Sequence, residues 1–81
     1  MSQDQKYNGH KNWNHWNVSL WINNDEGLYN VARQYVADYR GNRDKAAAEM
    51  LAELRRSGFS KTPDGAPYSK TSILAAMRGI I

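Results

Sequence analysis

Cysteine is absent from all 81 residues, so no disulfide can staple this chain and no zinc site of the cysteine-containing kinds can form. A cysteine-free composition is compatible with a reducing cytoplasm. Long apolar runs are also missing. None approaches the roughly 20 residues that a membrane span needs, and the opening MSQDQKYNGHKN is too polar for a signal peptide. Proline is confined to Pro63 and Pro67, and no glycine-rich phosphate loop occurs. The two histidines, His10 and His15, lie five residues apart rather than the four that place paired zinc ligands on one helix face. Carboxylates are few and form no convergent dyad; Asp44 and Glu49 sit beside bases as surface pairs. The sequence therefore predicts no catalytic residues, no metal, no cofactor and no membrane contact for a soluble cytoplasmic protein.

What is present is concentrated at the start. Trp13, Trp16 and Trp21 are all the tryptophans of the chain and fall within nine residues. A tryptophan buries on the order of 150–250 Å², so in one small domain this cluster either seeds the core or anchors a binding surface. Asn12, Asn14, Asn17, Asn23 and Asn24 surround it, although asparagine is a poor residue for a helix interior. Two accounts stand side by side. In one, Trp16, Leu20 and Trp21 are core and the asparagines are caps and turn formers. In the other, Trp13, Asn14, Trp16, Asn17 and Trp21 form a protein-binding face, with the asparagines supplying donors and acceptors.

Periodicity predicts an all-α domain of about four short helices over residues 12–81, preceded by a flexible lead-in at 1–11. The first helix covers 13–23, with Trp13, Trp16, Leu20 and Trp21 as its stripe, widened by Val18 and Ile22; Asn12 or Asn14 caps it. The second covers 25–40 on Leu28, Val31, Ala32, Tyr35, Val36 and Tyr39, starts at Asn24 or Asp25 and ends at Gly41. The third covers 44–57 on Ala47, Met50, Leu51 and Leu54, starts at Asn42 or Asp44, and ends at Gly58 with Phe59 placed for a Schellman contact. Residues 59–68 hold the turn triplet Pro63-Asp64-Gly65. The last helix covers 70–79, capped by Ser69, with Tyr68 and Ile73 as a hydrophobic staple and Ile73, Leu74, Met77 and Ile80 facing inward.

The net charge of +3 is unevenly spread. Residues 1–30 carry two basic and three acidic side chains, whereas residues 31–81 carry nine basic and five acidic ones. A basic C-terminal half fits nucleic acid or an acidic protein surface, and equally an ordinary solubilising face. Tyr29, Tyr35 and Tyr39 fall near one helical face, which either covers a second subunit or is buried within the domain, leaving the oligomeric state open.

Two resemblances add to this. The pattern YNGHKN, then WNVSLWI, then NDEGLY, over Tyr7 to Tyr29, resembles the opening of small uncharacterised proteins carried by bacteriophages and plasmids. That likeness implies an accessory protein of a mobile element, which binds and modulates or inhibits a host or defence protein in the cytoplasm of a bacterial host. It assigns no functional residue. Residues 51–80 are similar to the helix-turn-helix-like segment of large serine recombinases and some phage regulators. The matching residues are Leu54, Gly58, Thr62, Pro63, Gly65, Tyr68, Ser69, Ile73 and Leu74. This second likeness implies a small DNA-binding regulator as the alternative, with Lys70, Thr71 and Ser72 at the tip of a recognition helix. Arg55, Arg56, Lys61 and Arg78 would then contact phosphates. Against it, that helix is poor in side chains suited to bidentate base contacts.

Overall fold

Four side-chain caps punctuate this chain, and each starts one helix. In the structure, a computed structural model that describes residues 12–80, α1 runs Trp13–Asn24, α2 Glu26–Asp38, α3 Arg43–Arg56 and α4 Lys70–Met77. The caps are Asn12, Asp25, Asn42 and Ser69. Each side-chain oxygen accepts from the amide three residues on, at His15 (3.0 Å), Leu28 (3.0 Å), Lys45 (3.1 Å) and Ser72 (3.1 Å). A cap of this kind contributes about 1 kcal/mol by satisfying an amide that has no partner within the helix. Ser69 and Ser72 complete a reciprocal capping box, the Ser72 hydroxyl accepting from the Ser69 amide at 2.9 Å. The expected lead-in at 1–11, including His10, lies outside the described residues.

The domain is an all-α bundle with no β-strand among the described residues. The expected helix limits hold to within two residues. Helix α4 is the shortest, yet it packs on both α1 and α3 and touches α2. Its Ile73, Ala76 and Met77 are buried, as is Ile80 just beyond it. Around them gather Val18 and Ile22 from α1, Ala32 and Val36 from α2, and Ala46, Ala47, Met50 and Leu54 from α3. Small residues at 32, 46, 47 and 76 let the four helices share one core.

Helix α3 ends in a Schellman motif. The Phe59 amide donates to Leu54 O at 2.8 Å and the Gly58 amide to Arg55 O at 3.1 Å, with Gly58 at φ +85°. The tyrosine row of α2 is half-buried against the core. Tyr35 and Tyr39 stack at 6.4 Å, and the Tyr35 hydroxyl donates to Glu53 Oε1 on α3. That bond, followed by burial, pushes the Tyr35 phenol up to about 12. The row is thus partly covered within the chain itself.

Helix α1 sits differently from the expected stripe. Val18, Ile22 and Asn17 face the interior, Trp16 and Trp21 are half-buried, and Trp13 and Leu20 are each 38% exposed. Around the α1 axis, Asn17, Trp21, Val18 and Ile22 occupy one side, and Leu20 and Trp16 the other, at 100° per residue. Compact β-branched side chains fill the space beside α4, and a bundle this small does not enclose three indoles. Ile22→Ala is expected to cost about 2–5 kcal/mol in urea denaturation, whereas Leu20→Ala stays within about 1 kcal/mol. Equal losses at the two positions would contradict this rotation of α1.

Candidate protein-contact surface

Asn17 decides which side of α1 is free. It is 1% exposed, and both ends of its amide are spent on the connector between α3 and α4. The Thr62 hydroxyl donates to Asn17 Oδ1 at 2.6 Å, and Asn17 Nδ2 donates to Asp64 Oδ2 at 2.9 Å. The Trp21 indole N–H, one turn further along α1, donates to the same carboxylate oxygen at 2.9 Å.

The connector is folded to meet α1. Its Thr62-Pro63-Asp64-Gly65 turn closes through the Gly65 amide to Thr62 O at 2.8 Å, with Pro63 and Asp64 central and Gly65 at φ +97°. A second bond joins the Thr62 amide to Ala66 O at 2.8 Å, and an antiparallel bridge pairs Lys61 with Pro67. The Thr62 hydroxyl also accepts from the Ala66 amide at 3.0 Å. Ala66 and Tyr68 then pass into the core, and burial raises the Tyr68 phenol, with Asp25 adding to the shift. The two donors, Asn17 first and Trp21 second, hold the Asp64 carboxyl below its ordinary range.

These positions redistribute the expected contact residues. Asn17, expected on an exposed protein-binding face, is corrected to a structural residue by its burial and its two partners. Trp21 is half-buried with its indole N–H engaged. Trp13 and Asn14 are exposed and Trp16 is half-buried, and Leu20, core in one of the two sequence accounts, joins them at the surface. From Trp13 to Asn24 no Asp, Glu, Lys or Arg occurs. Asn23 and Asn24 turn their amides back onto their own helix, at Ser19 O (2.9 Å) and Leu20 O (2.8 Å). The free side of α1 therefore carries no acidic or basic side chain of those four kinds, and sets Trp13, Trp16 and Leu20 among neutral polar ones. Interface cores share that composition, being depleted in charge and enriched in aromatic side chains.

The residues expected to meet DNA differ in how freely they reach solvent. Ser72 is fully buried, its hydroxyl donating to Ser69 O at 3.0 Å, which corrects its expected place at an exposed helix tip. Lys70 pairs with Asp44 at 3.1 Å, and Thr71 Oγ1 lies 3.3 Å from Ser69 Oγ. Arg55, Arg56, Lys61 and Arg78 are exposed, the first two at the end of α3, where cations favour the helix dipole. The Thr62, Pro63 and Gly65 of the helix-turn-helix likeness build the turn that docks on α1.

The matching family model adds no activity. The chain belongs to a family of unknown function, DUF7249, whose model matches residues 3–81. No curated protein and no solved structure matches it.

The Asp64 bonds carry a pH signature. Both donors favour the ionised carboxylate, so its proton is held less tightly in the folded chain than in the unfolded one, where the ordinary value is 3.8. The stabilisation is complete above that value and is lost as pH falls through the lower folded value. In urea denaturation the gap between wild type and Asp64→Asn is expected to be constant well above the ordinary carboxylate value and to close as pH falls below it. A gap that ignores pH would show that the carboxylate charge plays no part.

Proposed function

We propose that this protein is a non-enzymatic accessory protein of a mobile element, a phage or plasmid, that binds and modulates or inhibits a host or defence protein complex in the bacterial cytoplasm. The observation that carries the protein-binding part is the outer side of α1, free of Asp, Glu, Lys and Arg, where Trp13 and Leu20 stand 38% exposed while the other large aliphatic side chains among the described residues are at least partly buried. Exposed aromatic anchors at the centre of a charge-poor patch are where binding energy concentrates in protein interfaces. The mobile-element part rests on the likeness of residues 7–29 to phage and plasmid proteins. The DNA reading draws less support, because Ser72 is buried and Lys70 is paired with Asp44.

The test is retention of protein from bacterial extract on the immobilised chain after nuclease treatment. The expected result is a specific protein whose retention falls at least about tenfold with Trp13→Ala plus Leu20→Ala. Lys70→Glu plus Arg78→Glu should leave it unchanged. Retention that disappears with nuclease, together with a duplex-DNA affinity that falls steeply with salt, would replace this reading with the DNA-binding one.

A further inference from the structure

A groove of about 550 Å³ opens where the end of α1, the start of α2, the end of α3 and the connector meet. Leu28 and Val31 of α2, Leu54 of α3, and Phe59, Pro63 and Tyr68 of the connector give it an apolar lining. Phe59 is the only phenylalanine in the chain and stands 59% exposed there. The Schellman turn fixes its backbone beside Leu54 while leaving most of the ring in water. A lone exposed apolar residue is ordinary; an exposed ring at the lip of an apolar groove is a docking feature.

Charge says what would lie in the groove. Asp25 and Glu53 line it, opposed by one base, Lys61. Each carboxylate is oriented by a neutral donor, Asp25 by the Leu28 amide and Glu53 by the Tyr35 hydroxyl. Among the described residues the ion pair is Lys70 with Asp44, so neither groove carboxylate has a cation bound to it. Two oriented, unneutralised carboxylates beside an apolar lining complement a basic side chain carried next to apolar ones. A smaller hollow lined by Leu20, Trp21, Asn24 and Asp25 shares Trp21 and Asp25 with the groove and so joins it to the outer side of α1.

We infer that this groove takes an amphipathic helix of the partner protein, seating apolar side chains against Leu28, Leu54 and Phe59 and placing an arginine or lysine against Asp25 and Glu53. The inference rests on the protein-binding reading and names the chemistry of the segment bound. Helices seat in apolar grooves through anchors spaced i and i+4, with charge at the rim fixing orientation.

The probe is a synthetic helical peptide with leucines at i and i+4 flanked by arginines, titrated into the isotopically labelled full chain and followed by NMR. Saturable shifts are expected at the Gly27, Leu28 and Phe59 amides and at the Trp21 indole N–H. Replacing the arginines by glutamate, or the leucines by serine, should weaken binding at least about fivefold. Asp25→Asn plus Glu53→Gln should do the same for the arginine peptide and flatten its salt dependence. Asparagine still caps α2 and glutamine still accepts from Tyr35, so the fold is kept. Equal binding of arginine and glutamate peptides, shifts confined to Trp13 and Leu20, or no saturable shift would each overturn the inference. If the peptide fails while Trp13 and Leu20 still govern retention of a host protein, the groove assignment falls and the protein-binding reading stands. If the peptide binds and no host protein is retained, the groove's chemistry stands and the host-protein target proposed above falls.

Discussion

A polar side chain in the core of so small a bundle must find partners, because burying an amide without them costs several kcal/mol, about 2–7 by transfer measurements. Asn17 finds them in Thr62 and Asp64, more than forty residues away in sequence. That pairing fixes three things together. It sets the rotation of α1, it clamps the connector across α1, and it directs Ala66 and Tyr68 into the core so that α4 starts where it can pack on both α1 and α3. No disulfide is available to hold the connector. Hydrogen bonds to a buried amide and an exposed carboxylate do that work instead.

Once α1 is clamped on that side, its other side is what the molecule presents. Trp13 and Leu20 remain in water because the core volume is already taken by Val18 and Ile22. The same clamp places Trp21 and Pro63 at the edge of the groove where Phe59 projects. The outer helix side and the acidic-rimmed groove are thus consequences of one packing decision, and they adjoin through Trp21 and Asp25. Apart from Lys61 in the groove, the basic side chains lie on α2 and the turn after it, at both ends of α3 and at the two ends of α4.

The helices were legible in the sequence because their signals are local. Cap-forming residue types mark every helix start, with Asn14, Asn24 and Asp44 as equal candidates beside Asn12, Asp25 and Asn42 until the structure chooses, and apolar spacing in α2 and α3 marks one face unambiguously. The Pro63-Asp64-Gly65 turn and the Schellman end at Gly58 are equally local. The orientation of α1 was not legible. Trp13, Trp16, Leu20 and Trp21 make as good a helical stripe as Val18 and Ile22, and only the distant Thr62 and Asp64 choose between them. For the same reason Asn17 read as a surface recognition residue, and Leu20 and Phe59 were not singled out as exposed. The buried state of Ser72 was foreshadowed by Ser69 three residues earlier, since a capping box turns both hydroxyls toward the backbone.

The central claim is that Asn17 and Thr62 act as one unit that locks the connector to α1. A double-mutant cycle in urea denaturation on Asn17→Ala, Thr62→Val and their combination tests it most directly. The two losses are expected to be non-additive, with a coupling of at least about 1 kcal/mol, since each single change strands the other's buried polar atom. Additive losses, or an Asn17→Ala chain as stable as wild type, would contradict it.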